Sequence, residues 1–318
     1  MDPKTIHQSA ARLSDAPSLK QLALLSAGVL AVAKLLVLLV QLLIEHLLQD
    51  TTGLAAMNKR TALLTVEAVF QFAVTAAIPF WTYGFYRVAM EAARQQTADG
   101  KTLLSGFHRF GPLLRLLIIE GLIGTGYVLL GSMLGSMLFM MTPMAEKAFY
   151  SIAPAVEQAQ AITDPAVLEA MMEPLMDELL KQIWPMYPLV AIAIGIFLIP
   201  WLYHLRLAPY HILDGENRAL FSMAQSRQEM HFNRFSMFLL DLRWWWYYGL
   251  LLLATLPLYI PLFTTLSPLM LVLTTALSYG LQVLIQWQFL PRVQTSYALA
   301  YEQLKASPAD QSGNPFSA

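Results

Sequence analysis

The chain contains six stretches, at about 22–46, 62–86, 112–141, 184–206, 237–260 and 266–290, that are apolar and nearly free of charge. Each is long enough for a helix to cross a bilayer, which takes about 20 residues for roughly 30 Å of hydrocarbon. Too few charged side chains remain to coat a water-facing surface: 13% of residues are charged, against about 25% in soluble domains. With 57% hydrophobic residues and a mean hydropathy of +0.51, the predicted fold class is all-α. It is a polytopic transmembrane helix bundle of about six spans, plus amphipathic interfacial helices. The fifth and sixth segments meet at Leu256-Pro257 and Ser267-Pro268, where prolines end one helix and start the next; a re-entrant pair is the alternative. The first run, from Leu19 to about Leu48, is too long for a signal-peptide core and no small-residue cleavage site follows it, so it reads as a span.

Charge distribution orients the bundle. With the N-terminus inside, fifteen Lys and Arg residues fall in cytoplasmic segments and four (Lys59, Arg60, Lys147 and Lys181) fall outside. Both ends are therefore expected in the cytoplasm, with residues 1–18 a loose tail, 19–303 the transmembrane domain and 304–318 a flexible tail. The outer loop, about 142–183, is acidic, and Thr163-Asp164-Pro165 reads as a helix start. Leu168, Met171, Leu175 and Leu179 then recur at helical spacing, predicting an amphipathic helix on the outer face, either a packed lid or a partner surface. In the cytoplasmic loop, about 207–236, a helix is expected from Arg218 to Phe235. Arg227, His231 and Arg234 share one of its faces, placed to meet lipid phosphates. Arg243, Trp244, Trp245 and Trp246 read as a headgroup-level belt. A net charge of −1 leaves no footprint for nucleic acid.

Ionisable and amide side chains inside spans are costly and become candidates by default. Lys34, Gln41 and Glu45 lie on one face of the first span, Glu67 and Gln71 share a face of the second, and Glu120 lies in the third. An isolated buried charge would neutralise sooner than persist, so Lys34 is expected to pair with Glu67 or Glu120. The pair would be either a packing device or a proton- or substrate-coupled site. Gly121, Gly124, Gly131 and Gly135 form a small-residue stripe on the third span, fit for close helix approach within the bundle or between two copies.

One internal similarity stands out. Ile78-Pro79-Phe80-Trp81-Thr82-Tyr83 with Arg87-Val88-Ala89 resembles Ile199-Pro200-Trp201-Leu202-Tyr203 with Arg206-Leu207-Ala208. Each copy leads to an Asp-Gly (Asp99-Gly100, Asp214-Gly215) and then an Arg-Phe before the next span (Arg109-Phe110, Arg234-Phe235). The alternatives are a duplicated hairpin and convergent membrane-interface composition.

Enzyme motifs are missing: there is no H-E-x-x-H, no Walker lysine loop and no G-x-S-x-G. Without cysteine, thiolate catalysis, disulfides and Cys-ligated zinc are excluded, and the six histidines show no metal-ligand spacing. No metal or cofactor is expected.

Ser226-Arg227, Met230, Arg234, Phe238 and Leu240-Asp241-Leu242, with a tryptophan at 245 or 246, resemble a signature of polytopic bacterial membrane proteins catalogued as domain of unknown function 975. Thr295-Ser296-Tyr297-Ala298-Leu299-Ala300-Tyr301-Glu302 is similar to that family's tyrosine-containing exit from the last helix. The resemblance covers about 195–303, with helix layout alone in the N-terminal half. His231 or Phe232 stands where the family has glycine, and Leu242-Arg243-Trp244 replaces Ser-Phe-Ile. It implies a bacterial plasma-membrane location and supplies no reaction. The reading favours a non-catalytic scaffold, regulatory or accessory subunit whose partners are the bilayer and a membrane protein or second copy. The alternative is a permease component using Lys34, Glu67 and Glu120.

Overall fold

In the computed structural model all regular structure among the described residues (2–49, 54–150, 180–181, 183–262 and 267–306) is helical. Five helices are long and apolar enough to cross a membrane, which makes the chain a multi-pass membrane protein. They are α2 (Pro17–Gln49), α3 (Leu54–Ala93), α5 (Phe110–Met140), α6 (Met186–Leu205) and α11 (Pro268–Ala306). Between and before them lie α1 (Pro3–Leu13), α4 (Ser105–His108), α7 (Ala208–Leu213), α8 (Ala219–Met230), α9 (Arg234–Arg243) and α10 (Trp245–Thr255). Large apolar side chains on the long helices point outward, Phe72 at 75% and Leu122 at 70% exposure, as hydrocarbon would require and water would penalise.

The chain forms two compact units, residues 1–116 with 206–318, and residues 117–205. In the first, α2, α3 and α11 pack together. Leu19, Leu22 and Ala23 of α2 bury against Phe85 and Val88 of α3 and against Leu103, with Leu290 of α11 at the edge. The contact is backbone-close where α3 meets the segment before α5. A Cβ on Gly84 would stand 1.8 Å from the Leu103 carbonyl oxygen, and one on Gly106 would stand 1.9 Å from that of Phe80. In the second unit the glycine stripe is used against α6. A Cβ on Gly131 would lie 2.6 Å from Ile194 Cα, and one on Gly135 2.5 Å from Val190 Cα. Gly124 faces Trp201 at 3.4 Å, while Gly121 faces open space.

Four expectations are corrected. The N-terminal tail is the helix α1, capped by the Asp2 carboxylate on the amides of Lys4 and Thr5. Its i, i+4 pair Ile6 and Ala10 is fully buried. A low average hydropathy conceals two such residues. Residues 304–306, expected in the C-terminal tail, are helical, because α11 runs to Ala306 and buries Tyr301 and Leu304.

The single helix expected over 218–235 is two, α8 and α9. The Asn233 side-chain amide takes the Glu229 carbonyl (2.9 Å), so the Asn233 backbone amide turns to Met230 instead (3.2 Å) and the helical ladder stops. The fifth span, expected over 237–260, breaks at Trp244, and its apolar part is Trp245–Ile260. That arm runs antiparallel to α11, with Trp246 on Phe289 and the Ser278 hydroxyl donating to the Ala254 carbonyl. Among the described residues there are thus five helices long and apolar enough to span a membrane and one short apolar arm. The outer amphipathic helix expected after Thr163 lies outside the described residues.

Replacing Gly84 with Ala is expected to cost about 2–3 kcal/mol through overpacking against backbone, read as a lower thermal unfolding temperature in detergent. Gly111→Ala, with nothing within 4 Å of the added methyl, is expected to leave that temperature unchanged or raised.

Candidate functional site

Two helices of the first unit end in the same backbone device. At the end of α3, Gln95 adopts a left-handed φ of 58°. Its amide donates to the Ala92 carbonyl and that of Gln96 to Glu91 (3.0 and 2.8 Å), the paired reverse bonds that close helix C-termini. At the end of α7, Gly215 has φ 125°. It donates to Ile212, and Glu216 donates to His211 (3.2 and 3.0 Å). The glycine is required there because a side chain disfavours this φ. The two motifs leave Arg94 and Asp214 as the facing terminal residues, 2.7 Å apart.

Asp214 collects further partners. Lys305 from α11 pairs with its Oδ2, and the Tyr301 hydroxyl donates to the same oxygen (3.1 Å). Arg87 stands 3.8 Å from Oδ1 and donates to the Leu213 carbonyl (3.0 Å). Glu302 closes on Arg94 at 2.6 Å and Glu91 on Arg87 at 3.2 Å. Burial opposes ionisation of Asp214, but Lys305 and Arg94 outweigh it and hold the carboxyl below its ordinary range. Behind this cluster the rings of Tyr86, Tyr210 and Tyr301 stack at 5.2 and 5.5 Å between centroids. His211, beside Tyr301, meets Glu229 of α8 at 3.0 Å.

A second focus lies on Asp241 of α9. Arg206 donates to it at 2.9 Å and lies over the Tyr297 ring at 4.5 Å. The Tyr297 hydroxyl donates to the same carboxylate and meets Tyr248 at 2.9 Å. Asp241 is thus drawn into the first unit's interior, which is why α9 belongs to this platform and not to a span.

The intramembrane candidates are not gathered in the same way. Lys34 is exposed and its ammonium stands 5.5 Å from the Tyr279 ring centroid. Among the described residues of its own unit it makes no ion pair, so the expected pairing with Glu67 does not form. Gln41 donates to Glu45 at 3.2 Å along α2. Glu67 is half-buried and Gln71 exposed on α3, and Glu120 belongs to the second unit.

Of the belt residues, Arg227, His231 and Arg243 are exposed and Arg234 half-buried. Trp245 is 67% exposed, and Trp246 packs edge-on to Phe289. Trp244 is not at the surface at all. It is 2% exposed, with its ring 4.7 Å from that of His7 on α1. Among the described residues no group of three His, Cys, Asp or Glu side chains could hold a metal.

A cavity of about 470 Å³ opens between the start of α2 and the end of α3. Leu13, Ser18, Leu22, Ala92 and Gln95 to Ala98 are among the residues that line it, and none of its lining side chains is an acid or base. No protein-family model, curated protein or solved structure matches the chain.

Sequence reasoning had touched the cluster without assembling it. The repeat marked Arg87, Arg206 and Asp214, and the family resemblance marked Tyr297 and Tyr301. The available signal was the i, i+4 spacing of Tyr297, Tyr301 and Lys305 on one helix face.

Asp214→Asn removes the charge shared by Arg94, Arg87 and Lys305 and is expected to cost about 2 kcal/mol, less than a fully buried pair because Lys305 is half exposed. Since the folded Asp214 titrates below 3.8, its contribution is fully present above that value and lost as pH falls through the folded one. Unfolding temperatures followed from neutral to acid pH are expected to drop below roughly pH 4 in the native chain. The drop is expected to be shallower for Asp214→Asn.

Proposed function

We propose that the chain is a non-catalytic multi-pass protein of the bacterial cytoplasmic membrane, with both termini in the cytoplasm. In this reading it serves as a scaffold, regulatory or accessory subunit. The observation that carries it is the use made of the charged groups. Arg87, Glu91, Arg94, Asp214, Glu302 and Lys305 are joined to one another, and none of them lines the adjoining cavity. Catalytic acids and bases are poised toward a space that a substrate can enter; these are committed to holding helix ends together. The result is a rigid platform, and rigidity is what a docking or positioning role needs.

The orientation is supported by the excess of Lys and Arg in the segments assigned to the cytoplasm. The bacterial location is supported by the resemblance of residues 195–303 to domain of unknown function 975, of which the chain would be a divergent member or relative. A permease role for Lys34, Glu67 and Glu120 draws no support from the exposed setting of Lys34.

Purification of the full chain from its native membrane in mild detergent is expected to give a discrete complex of fixed stoichiometry. Recovery of a lone monomer would overturn the scaffold reading. In proteoliposomes the chain is expected to conduct protons no faster than empty vesicles do. A leak abolished by Glu67→Gln or Glu120→Gln would establish the permease reading instead.

A further inference from the structure

The elbow between α8 and α9 has a surface unlike the rest of the first unit. Phe235, Phe238, Leu242 and Trp245 recur at i, i+3, i+7 and i+10 and are all exposed, Phe235 at 69%. The opposite side of α9, with Met237 and Leu240, is buried. A ten-residue helix apolar on both sides cannot rest in water on its outer one. Its last turn leads straight into the apolar α10, where Leu252 and Leu253 are also exposed. The exposed stripe therefore meets a membrane arm at headgroup depth.

The outward-facing charges of the segment that carries the stripe are of one sign. From Asn217 to Tyr248 the sequence carries two acids, Glu229 and Asp241. Both are turned inward, Glu229 onto His211 at 3.0 Å and Asp241 onto Arg206 at 2.9 Å. Arg227 and Arg243 are exposed and Arg234 half-buried, with no ion pair to any of the three among the described residues. Outside this segment lies Asp2, whose ionisation the charge of Arg243 favours as the smallest of several contributions. A segment that reads as mixed in sequence is thus purely cationic where it faces outward.

We propose that this elbow is a binding surface for anionic phospholipids, taking their phosphates on Arg227, Arg234 and Arg243 while the phenylalanine stripe lies among the acyl chains. It concentrates such lipids at one face of the protein over zwitterionic ones. Juxtamembrane arginines are drawn to an anionic membrane surface. The surface is separate from the Asp214 cluster, so its failure would leave the scaffold reading standing, and the reverse holds.

The chain has no cysteine, so Phe238→Cys provides a single attachment point for a fluorophore on the stripe. Quenching by brominated phosphatidylglycerol is compared with quenching by brominated phosphatidylcholine, in bilayers containing both lipids. The labelled chain is expected to favour phosphatidylglycerol on the order of tenfold, with the preference shrinking at high salt. Arg227→Gln, Arg234→Gln and Arg243→Gln together are expected to bring it to within about twofold of unity. Each single substitution, a milder change should the triple variant not fold, is expected to lower it about twofold. Equal quenching by the two lipids in the parent chain, or a preference that survives the triple substitution in a folded protein, would overturn the proposal. So would disulfide cross-linking of two copies through Phe238→Cys, which would assign the stripe to a second copy.

Discussion

The carboxylate of Asp214 sits where the ends of three helices arrive, and its ionisation is the constraint that binds them. A group 11% exposed cannot keep its charge without partners. Those partners come from α3 as Arg87 and Arg94, and from α11 as Tyr301 and Lys305. Each has to be delivered by a helix stopped at the right residue. That is the service of the two left-handed caps, Gln95 and Gly215. Gly215 suits the conformation at no steric cost, whereas Gln95 adopts it against the preference of a side chain. The cap of α3 is held by its surroundings, and the Arg94 ion pairs are the surroundings that hold it.

The same logic recurs one helical turn further into the bundle. Arg87 and Arg206 follow the two similar Pro-aromatic segments, eight residues after Pro79 and six after Pro200, and each reaches a carboxylate, Asp214 in one case and Asp241 in the other. The surrounding tyrosines have a double task. Their rings supply the apolar packing that burial demands, and the hydroxyls of Tyr297 and Tyr301 each add a hydrogen bond to the carboxylate oxygen that also takes an ion pair. Removing either contribution would leave a charge in a poorly hydrated place.

How legible this was in the sequence depended on which physics wrote each element. Bilayer thickness imposes a minimum apolar length, so the spans near α2, α3, α5 and α6 were readable from hydropathy to within several residues at most ends. Nothing in that measure says where a helix stops once it leaves the hydrocarbon, and α11 continues to Ala306 because Tyr301 and Lys305 are needed at the platform. The segment from Met237 looked like a span because a single aspartate among leucines hardly lowers average hydropathy. Asp241 nevertheless decides the matter, since its partner Arg206 lies outside the apolar arm. The pairing expected between Lys34 and Glu67 is absent for the opposite reason. Being isolated, a charge suggests a partner, but an exposed lysine beside Tyr279 can lay its stem along the helix without one.

Charge counting shows the same limit. Summed over residues 217–248, the acids and bases suggest a moderately basic, mixed surface. Folding sorts them: Glu229 turns inward onto His211 and Asp241 onto the half-buried Arg206, and the arginines stay out because nothing inside requires them. The net charge of the outward face is therefore set by the interior pairing, not by composition. A set of contacts distinct from those on Asp214, Glu229 on His211 and Asp241 on Arg206, thus takes from the surface the carboxylates that would repel a phosphate, leaving a cationic edge beside the short membrane arm.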